Sequence, residues 1–152
     1  MTDPHTFANT TPRLKLPNLF VAQAQKELTV NEAFAMLDAL LHLAVEGEAN
    51  DPPAAAADGE CWLVGAAPTG DWVAQAGQIA CRQAGSWLFV APVDGMTLFD
   101  KAAGRSARFD GGWQRAAAIS LPTGGTTEDA EARAAIAELV AALQLSGIVP
   151  AS

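Results

Sequence analysis

The sequence predicts an α+β fold: an extended N-terminal arm and a helix, a small antiparallel β meander, and a C-terminal helix. Three observations predict it. Apolar residues recur at helical spacing over residues 30–44. Short apolar runs cut by turn residues fill residues 60–114. A second helical stripe, Ile136, Leu139, Val140 and Leu143, follows a Gly124-Gly125 break. The segments this implies are an arm over 1–19, a helix plus β domain over 20–120, and the C-terminal helix within 121–152.

The arm rests on Pro12 and Pro17, which flank Leu14 and Leu16 and precede Leu19. Proline fixes φ and lacks a donor, so the stretch is expected to be extended. Leu14 and Leu16 alternate with Arg13 and Lys15, which gives one apolar edge for a core or a partner. Residues 1–9 are polar and are expected to be disordered.

The first helix is expected over about 30–46. Thr29 and Glu32 have the spacing of a capping box, in which the hydroxyl takes an orphan amide and the carboxylate reaches back. Its stripe is Val30, Ala33, Phe34, Leu37, Leu40, Leu41 and Ala44, and Gly47 is a stop. Pro52, Pro53 and the alanines after them read as a linker.

The strand candidates are 61–64, 78–82, 87–91, 96–99 and 107–109. Their spacing favours an antiparallel meander, because parallel pairing needs long crossovers. Trp72, Trp87 and Trp113 each follow a glycine-containing turn. Two readings stay open for them. They plug a thin core, or they present flat faces on which sugar rings stack. The C-terminal helix is expected over about 128–144, with Thr126 or Thr127 as its cap and acidic residues in its first turn.

Composition narrows the function. The 152 residues carry a formal charge of −8, and the nine Lys and Arg do not cluster. Such a surface disfavours nucleic acid and anionic lipid. No apolar run is long enough to span a membrane, and residues 1–10 lack the pattern of a secretion signal. Cys61 and Cys81 fit no zinc or redox spacing. They read as small core residues, with a disulfide between neighbouring strands as the alternative, which requires an oxidising compartment.

No catalytic set assembles from the sequence. His5 lies in the polar tail and His42 beside the helical stripe, and no nucleophile elbow or phosphate loop is present. No His, Cys, Asp or Glu cluster has metal-ligand spacing, so neither metal nor cofactor is expected. Asp71, Asp94, Asp100 and Asp110 fall near turns. A pair of them flanking a glycosidic bond is the enzymatic reading. Turn duty is the simpler one, because aspartate bonds its own backbone.

One set of motifs goes further. Leu16-Pro17, Ala22-Gln23-Ala24-Gln25-Lys26, Thr29-Val30-Asn31-Glu32-Ala33 and Leu37-Asp38-Ala39-Leu40 occur in order. Pro52-Pro53, a Gly59 to Gly65 strand, Thr69 to Trp72, Gly77 to Ala80 and Gly85 to Pro92 follow. This order resembles an uncharacterised domain family of structural proteins in bacterial prophages and gene transfer agents. The resemblance runs from about Leu14 onward. It lacks a histidine that members often carry near Glu27 and Leu28, and it lacks long distal receptor-binding regions. It implies a head-spike base or fibre-attachment protein. Its expected partners are sister copies, capsid or tail proteins, and cell-surface polysaccharide. Its expected location is the cytoplasm during assembly and the released particle afterwards.

The residues expected to meet partners are Leu14, Leu16, Leu19, Gln23, Gln25 and Lys26 at the N-terminal end, and Ile136, Leu139, Val140 and Leu143 on the last helix. Trp72, Trp87 and Trp113 are the carbohydrate candidates. Sequence leaves open the symmetry, a head or tail position, and the pairing of Cys61 with Cys81.

Overall fold

The structure is a computed structural model that describes residues 9–20 and 26–150. The fold is α+β, and the described residues form two α-helices and two four-stranded sheets. The chain groups into two compact units. The first takes the described residues up to Leu43 and Glu48–Ala91, and the second takes Ala44–Gly47 and the described residues from Pro92. The boundary at Ala91 and Pro92 lies inside the 20–120 stretch.

In the first unit, α1 (Lys26–Leu40) precedes a sheet of β2 (Glu48–Ala49), β3 (Cys61–Val64), β4 (Ile79–Gln83) and β5 (Ser86–Val90), in that spatial order. The remaining short strand, β1 (Ala44–Val45), belongs to the second unit. Strands β3 to β5 form an antiparallel meander. β2 pairs with β3 in parallel, Glu48 opposite Leu63 and Ala49 opposite Val64. This corrects the expectation of purely antiparallel pairing: the proline-containing segment between β2 and β3 is itself long enough for a crossover.

Alternation along these strands divides the side chains between two faces. Cys61, Cys81 and Leu88 form one row across the sheet. With Arg13, Ala35, Asp38 and Ala39 they enclose a small space beneath α1. Trp62, Ala80 and Phe89 form the row on the opposite face, and Arg82 pairs with Trp87 there. The 3₁₀ turn Gly70–Trp72 drops Trp72 onto that second face, where it packs with Val64 and Ala80 and is fully buried. Half-buried Ala49, Trp62, Trp87 and Phe89 surround it. Four short strands bury little area, and large aromatic side chains supply what the strand length does not.

The loop over β3 is clasped by Asn50. Its side-chain oxygen accepts from the Ala67 amide at 3.0 Å, and its carbonyl accepts from the Thr69 amide at 2.9 Å. A Cβ at Gly65 would collide with that same oxygen, so a side chain there would push Asn50 out of its place.

In the second unit, the sheet runs β1, β6 (Thr97–Asp100), β7 (Arg105–Phe109), β8 (Trp113–Arg115). Strands β6 to β8 are a second antiparallel meander, and β1 adds to β6 in parallel, Val45 opposite Asp100. The single meander expected from sequence is therefore two. Leu98, Ala107, Val45, Val140 and Val149 are its buried apolar residues. Asp100 is buried with them, and it accepts the Ala103 amide at 2.9 Å and the Arg115 guanidinium at 3.3 Å.

α2 (Ala130–Leu145) starts at Asp129, whose side chain accepts from the Ala132 amide at 2.9 Å. The cap is thus Asp129 and not Thr126 or Thr127, which lie three and two residues upstream of it. The helix ends in a Schellman motif: Gly147 donates to Gln144 and Ile148 to Leu143, both at 3.0 Å. Gly147 has φ +65°, and a Cβ there would lie 2.9 Å from the Phe99 ring. Its carbonyl accepts from the Ser106 amide, which fixes the helix end on β7.

Candidate functional site

The first helix differs from expectation in span and in orientation. α1 covers Lys26–Leu40, so Thr29 and Glu32 lie inside it and do not form a capping box. It stops early, and the chain turns at Leu41 and His42 into the short strand Ala44–Val45. His42 takes φ +50° at the break.

The buried face of α1 is Ala35, Asp38 and Ala39. The expected stripe points elsewhere. Leu37 is 47% exposed and Leu41 46%, Ala33 is exposed, and Val30, Phe34 and Leu40 are half-buried. The small residues Ala35 and Ala39 line the space over Cys61, Cys81 and Leu88, and Leu37 and Leu41 are left exposed.

Asp38 ties α1 to the chain before it. Its carboxylate, 2% exposed, accepts from Thr11 Oγ1 at 2.7 Å, the Leu14 amide at 2.6 Å and the Arg13 amide at 2.9 Å. Arg13 completes the clasp. It donates to the Asp38 and Ala39 carbonyls at 2.7 Å and to the His42 carbonyl at 3.1 Å. These are orphan carbonyls at a helix C-terminus, where a cation is favoured. The residues read as an extended arm are therefore a closed loop over 9–18. Thr10 bridges Pro17, Thr11 donates to Leu16, and Asn18 donates to Asn9. Asn31 on α1 holds the chain beyond it, accepting from the Leu19 amide at 2.8 Å and donating to its carbonyl at 3.1 Å.

The expected partner residues are accordingly redistributed. Leu14 is exposed, Leu16 and Leu19 are half-buried in the clasped loop, and Lys26 is exposed at the start of α1. Gln23 and Gln25 lie outside the described residues, as does His5. On α2, Ile136 is 41% exposed and Leu139 65%, whereas Leu143 is half-buried. Val140 is buried within its own unit, so it supports the fold and offers nothing to a partner. Leu145 and Ile148 extend the uncovered surface at the helix end. Each unit thus carries a helix with exposed leucines.

The tryptophans divide as well. Trp72 has no exposed face and meets Trp87 edge-on, centroids 5.0 Å apart, so it is a core plug and not a sugar platform. Trp87 is half-buried, with the Arg82 guanidinium 5.1 Å from its ring centre. Trp113 is half-buried and packs edge-on against Phe109 at 5.3 Å.

One cleft of about 340 Å³ lies between α1 and the β4–β5 hairpin, lined by Asn31, Glu32, Ala35, Gln83, Ser86, Trp87 and Leu88. Alternation puts Ser86 and Leu88 on the helix side and the Trp87 ring on the other. The cleft is thus an apolar floor with a carboxylate, an amide and a hydroxyl at its rim. Among the described residues, no three His, Cys, Asp or Glu side chains come together to hold a metal. Asp94 and Asp100 each accept a turn amide, from Gly111 and Ala103. Asp110 pairs with Arg108 at 3.2 Å. Among the described residues, no helix is long and apolar enough to cross a membrane.

A family model described as a protein of unknown function, DUF2793, matches residues 30–114, more than half of the chain. The chain belongs to the DUF2793 family. The DUF2793 match enters within α1 and ends in β8, so it takes in both sheets and includes Asp38 and the exposed Leu37 of α1. α2 and the clasped loop around Arg13 lie outside it. No curated protein matches the chain.

Sequence reasoning missed Asp38 and Arg13. The signal was an acid set among the apolar residues of α1, together with an arginine between Pro12 and Leu14. Neither stands out in a pattern of apolar spacing.

Proposed function

We propose that this chain is a non-catalytic structural component of a phage-like particle or gene transfer agent, a head-spike base or fibre-attachment piece that assembles with its own copies. The observation that carries the reading is the exposed large apolar residues at neighbouring helical positions: Leu37 on α1 with Leu41 just past its end, and Ile136 and Leu139 on α2. Exposed large apolar side chains at neighbouring helical positions favour a place where protein meets protein. The resemblance over Leu16-Pro17, the Gln-rich segment and Leu37-Asp38-Ala39-Leu40 supplies the particle context. In this reading the protein assembles in the cytoplasm and leaves within the particle, with capsid or tail proteins as further partners. The clasped loop gives a rigid ledge at the N-terminal end, with Leu14 and Lys26 outward.

The test is fractionation of particles released from cells that make a tagged chain. The wild-type chain should co-sediment with particles, and Leu139→Glu should stay in the soluble fraction while remaining folded. A folded wild-type chain absent from purified particles would remove the reading.

Saccharide recognition is the second reading. It rests on the partly exposed Trp87 and Trp113, each taken by itself. Capsule polysaccharide that never perturbs tryptophan fluorescence in wild type, Trp87→Ala or Trp113→Ala protein would eliminate it.

A further inference from the structure

We propose that Cys61 and Cys81 are a cross-linking site, closing to a disulfide that staples β3 to β4 when the thiols meet a disulfide-type oxidant before α1 and the clasped loop cover them. The backbone already has the required geometry. Cys61 and Cys81 stand directly opposite in antiparallel strands. Arg82 donates to Glu60 at 2.8 Å on one side, and Val64 donates to Gln78 at 2.9 Å on the other. That alternation puts the cysteines at a non-hydrogen-bonded position, where facing Cα atoms are about 4.5 Å apart. A disulfide accepts Cα separations from about 4.4 Å. The two sulfurs are 2.7 Å apart and no disulfide joins them. A small rotation of the side chains brings them to the bonding distance of about 2.05 Å.

The cover is equally specific. Both cysteines are buried. The space above them, bounded by Arg13, Ala35, Asp38 and Ala39, is about 10 Å³, too little for any organic disulfide. The thiolate is the attacking form. The hydrogen bond shared with Cys61, followed by burial, raises the Cys81 thiol far above its ordinary range. A folded, reduced chain is thus shielded both sterically and chemically, and an unfolded one is not.

The reaction balances with a small-molecule disulfide of the glutathione type. One cysteine thiolate attacks it, forming a mixed disulfide and releasing one small thiolate. The second cysteine thiolate displaces the other. One Sγ–Sγ bond forms, one reagent S–S bond breaks, the protein loses two electrons, and both protons end on the released thiols. The exchange belongs to folding or local opening, because a mixed disulfide does not fit beneath α1.

The proposal goes beyond the assembly reading and is tested without it. The full chain is refolded from denaturant in a glutathione redox buffer, and separately the reduced, folded chain is exposed to oxidised glutathione. Refolding should give a product lighter by two hydrogens, with one peptide linking Cys61 to Cys81. Its Tm should exceed that of the same sample after dithiothreitol by on the order of 10 °C, from the closed loop between the two positions. The folded chain should react at least tenfold more slowly than the same chain in mild denaturant. Glutathione adducts or cross-linked dimers as the refolding product, a linked form that melts no higher than the reduced one, or fast oxidation of the folded chain would each overturn it.

Discussion

Replacing Asp38 with asparagine tests the clasp that sets α1 against its sheet. The change keeps size and shape. It removes the charge and one acceptor oxygen. With the remaining oxygen left toward Thr11 and Leu14, the new amide group faces the Arg13 N–H, donor against donor. A hydrogen bond to a charged group contributes about 1.5–3 kcal/mol net. One such bond is lost, and two become neutral and roughly half as strong. Partial hydration of the loop returns some of this. The expected loss is about 3 kcal/mol, or on the order of 10–20 °C in Tm for a unit of this size. Urea unfolding followed by tryptophan fluorescence reads it directly, because Trp62, Trp72 and Trp87 all lie in the same unit as Asp38. Hydrogen exchange at the Arg13, Leu14 and Leu16 amides should accelerate ahead of the rest of the chain. Thr11→Val, which also removes the acceptor of the Leu16 amide, should cost less and should not add fully to Asp38→Asn. An Asp38→Asn chain within about 0.5 kcal/mol of wild type, with those amides still slow, would refute the reasoning.

Three further substitutions have definite outcomes. Trp72→Ala should cost about 3–5 kcal/mol by urea titration, as a large cavity in a small core. Trp72→Phe should cost distinctly less, because the buried indole N–H has no partner among the described residues and its removal relieves an unmet donor. Gly65→Ala should lower stability by about 1–3 kcal/mol through the collision with Asn50, and Asn50→Gly in the same chain should recover part of it. Val140→Ala should destabilise the second unit by about 1–2 kcal/mol, whereas Leu139→Ala should stay within about 0.5 kcal/mol, as measured by thermal melts.

The element types were legible because local chemistry and tertiary structure agree for most of the chain. β3 lies where its apolar run placed it, and β4 to β7 lie within a few residues of theirs. The expected helix at 128–144 is α2 at Ala130–Leu145. The disagreements share a cause, which is that pairing across distance overrides local pattern. Residues 41–46 read as helix on spacing alone, yet Val45 is drawn into a two-residue strand by its β6 partner. Strands that short carry no periodic signal. The break at Ala91 and Pro92 read as one more turn of a meander, and only the contacts show that the chain starts a second sheet there.

The helical stripes were legible as spacing, but not which of their residues the fold covers. On α2 the predicted stripe contains both the buried Val140 and the exposed Ile136 and Leu139. Periodicity finds an apolar band but does not say how wide a part of it the fold covers. On α1 the buried residues are an acid and two alanines, and Leu37 is left exposed. A buried carboxylate reads as solvent-facing in any pattern argument, because only its partners, here Thr11, Arg13 and Leu14, make burial affordable. The tryptophans show the same limit, since Trp72 and Trp113 follow similar turns and end in different environments.

The most direct measurement is the mass of the purified chain by sedimentation equilibrium, run beside Leu37→Glu and Leu139→Glu variants of matching thermal stability. Association through exposed helix faces predicts a defined multiple of the single-chain mass, reduced by at least one of the two charges. A single-chain mass for all three proteins at every concentration would contradict it.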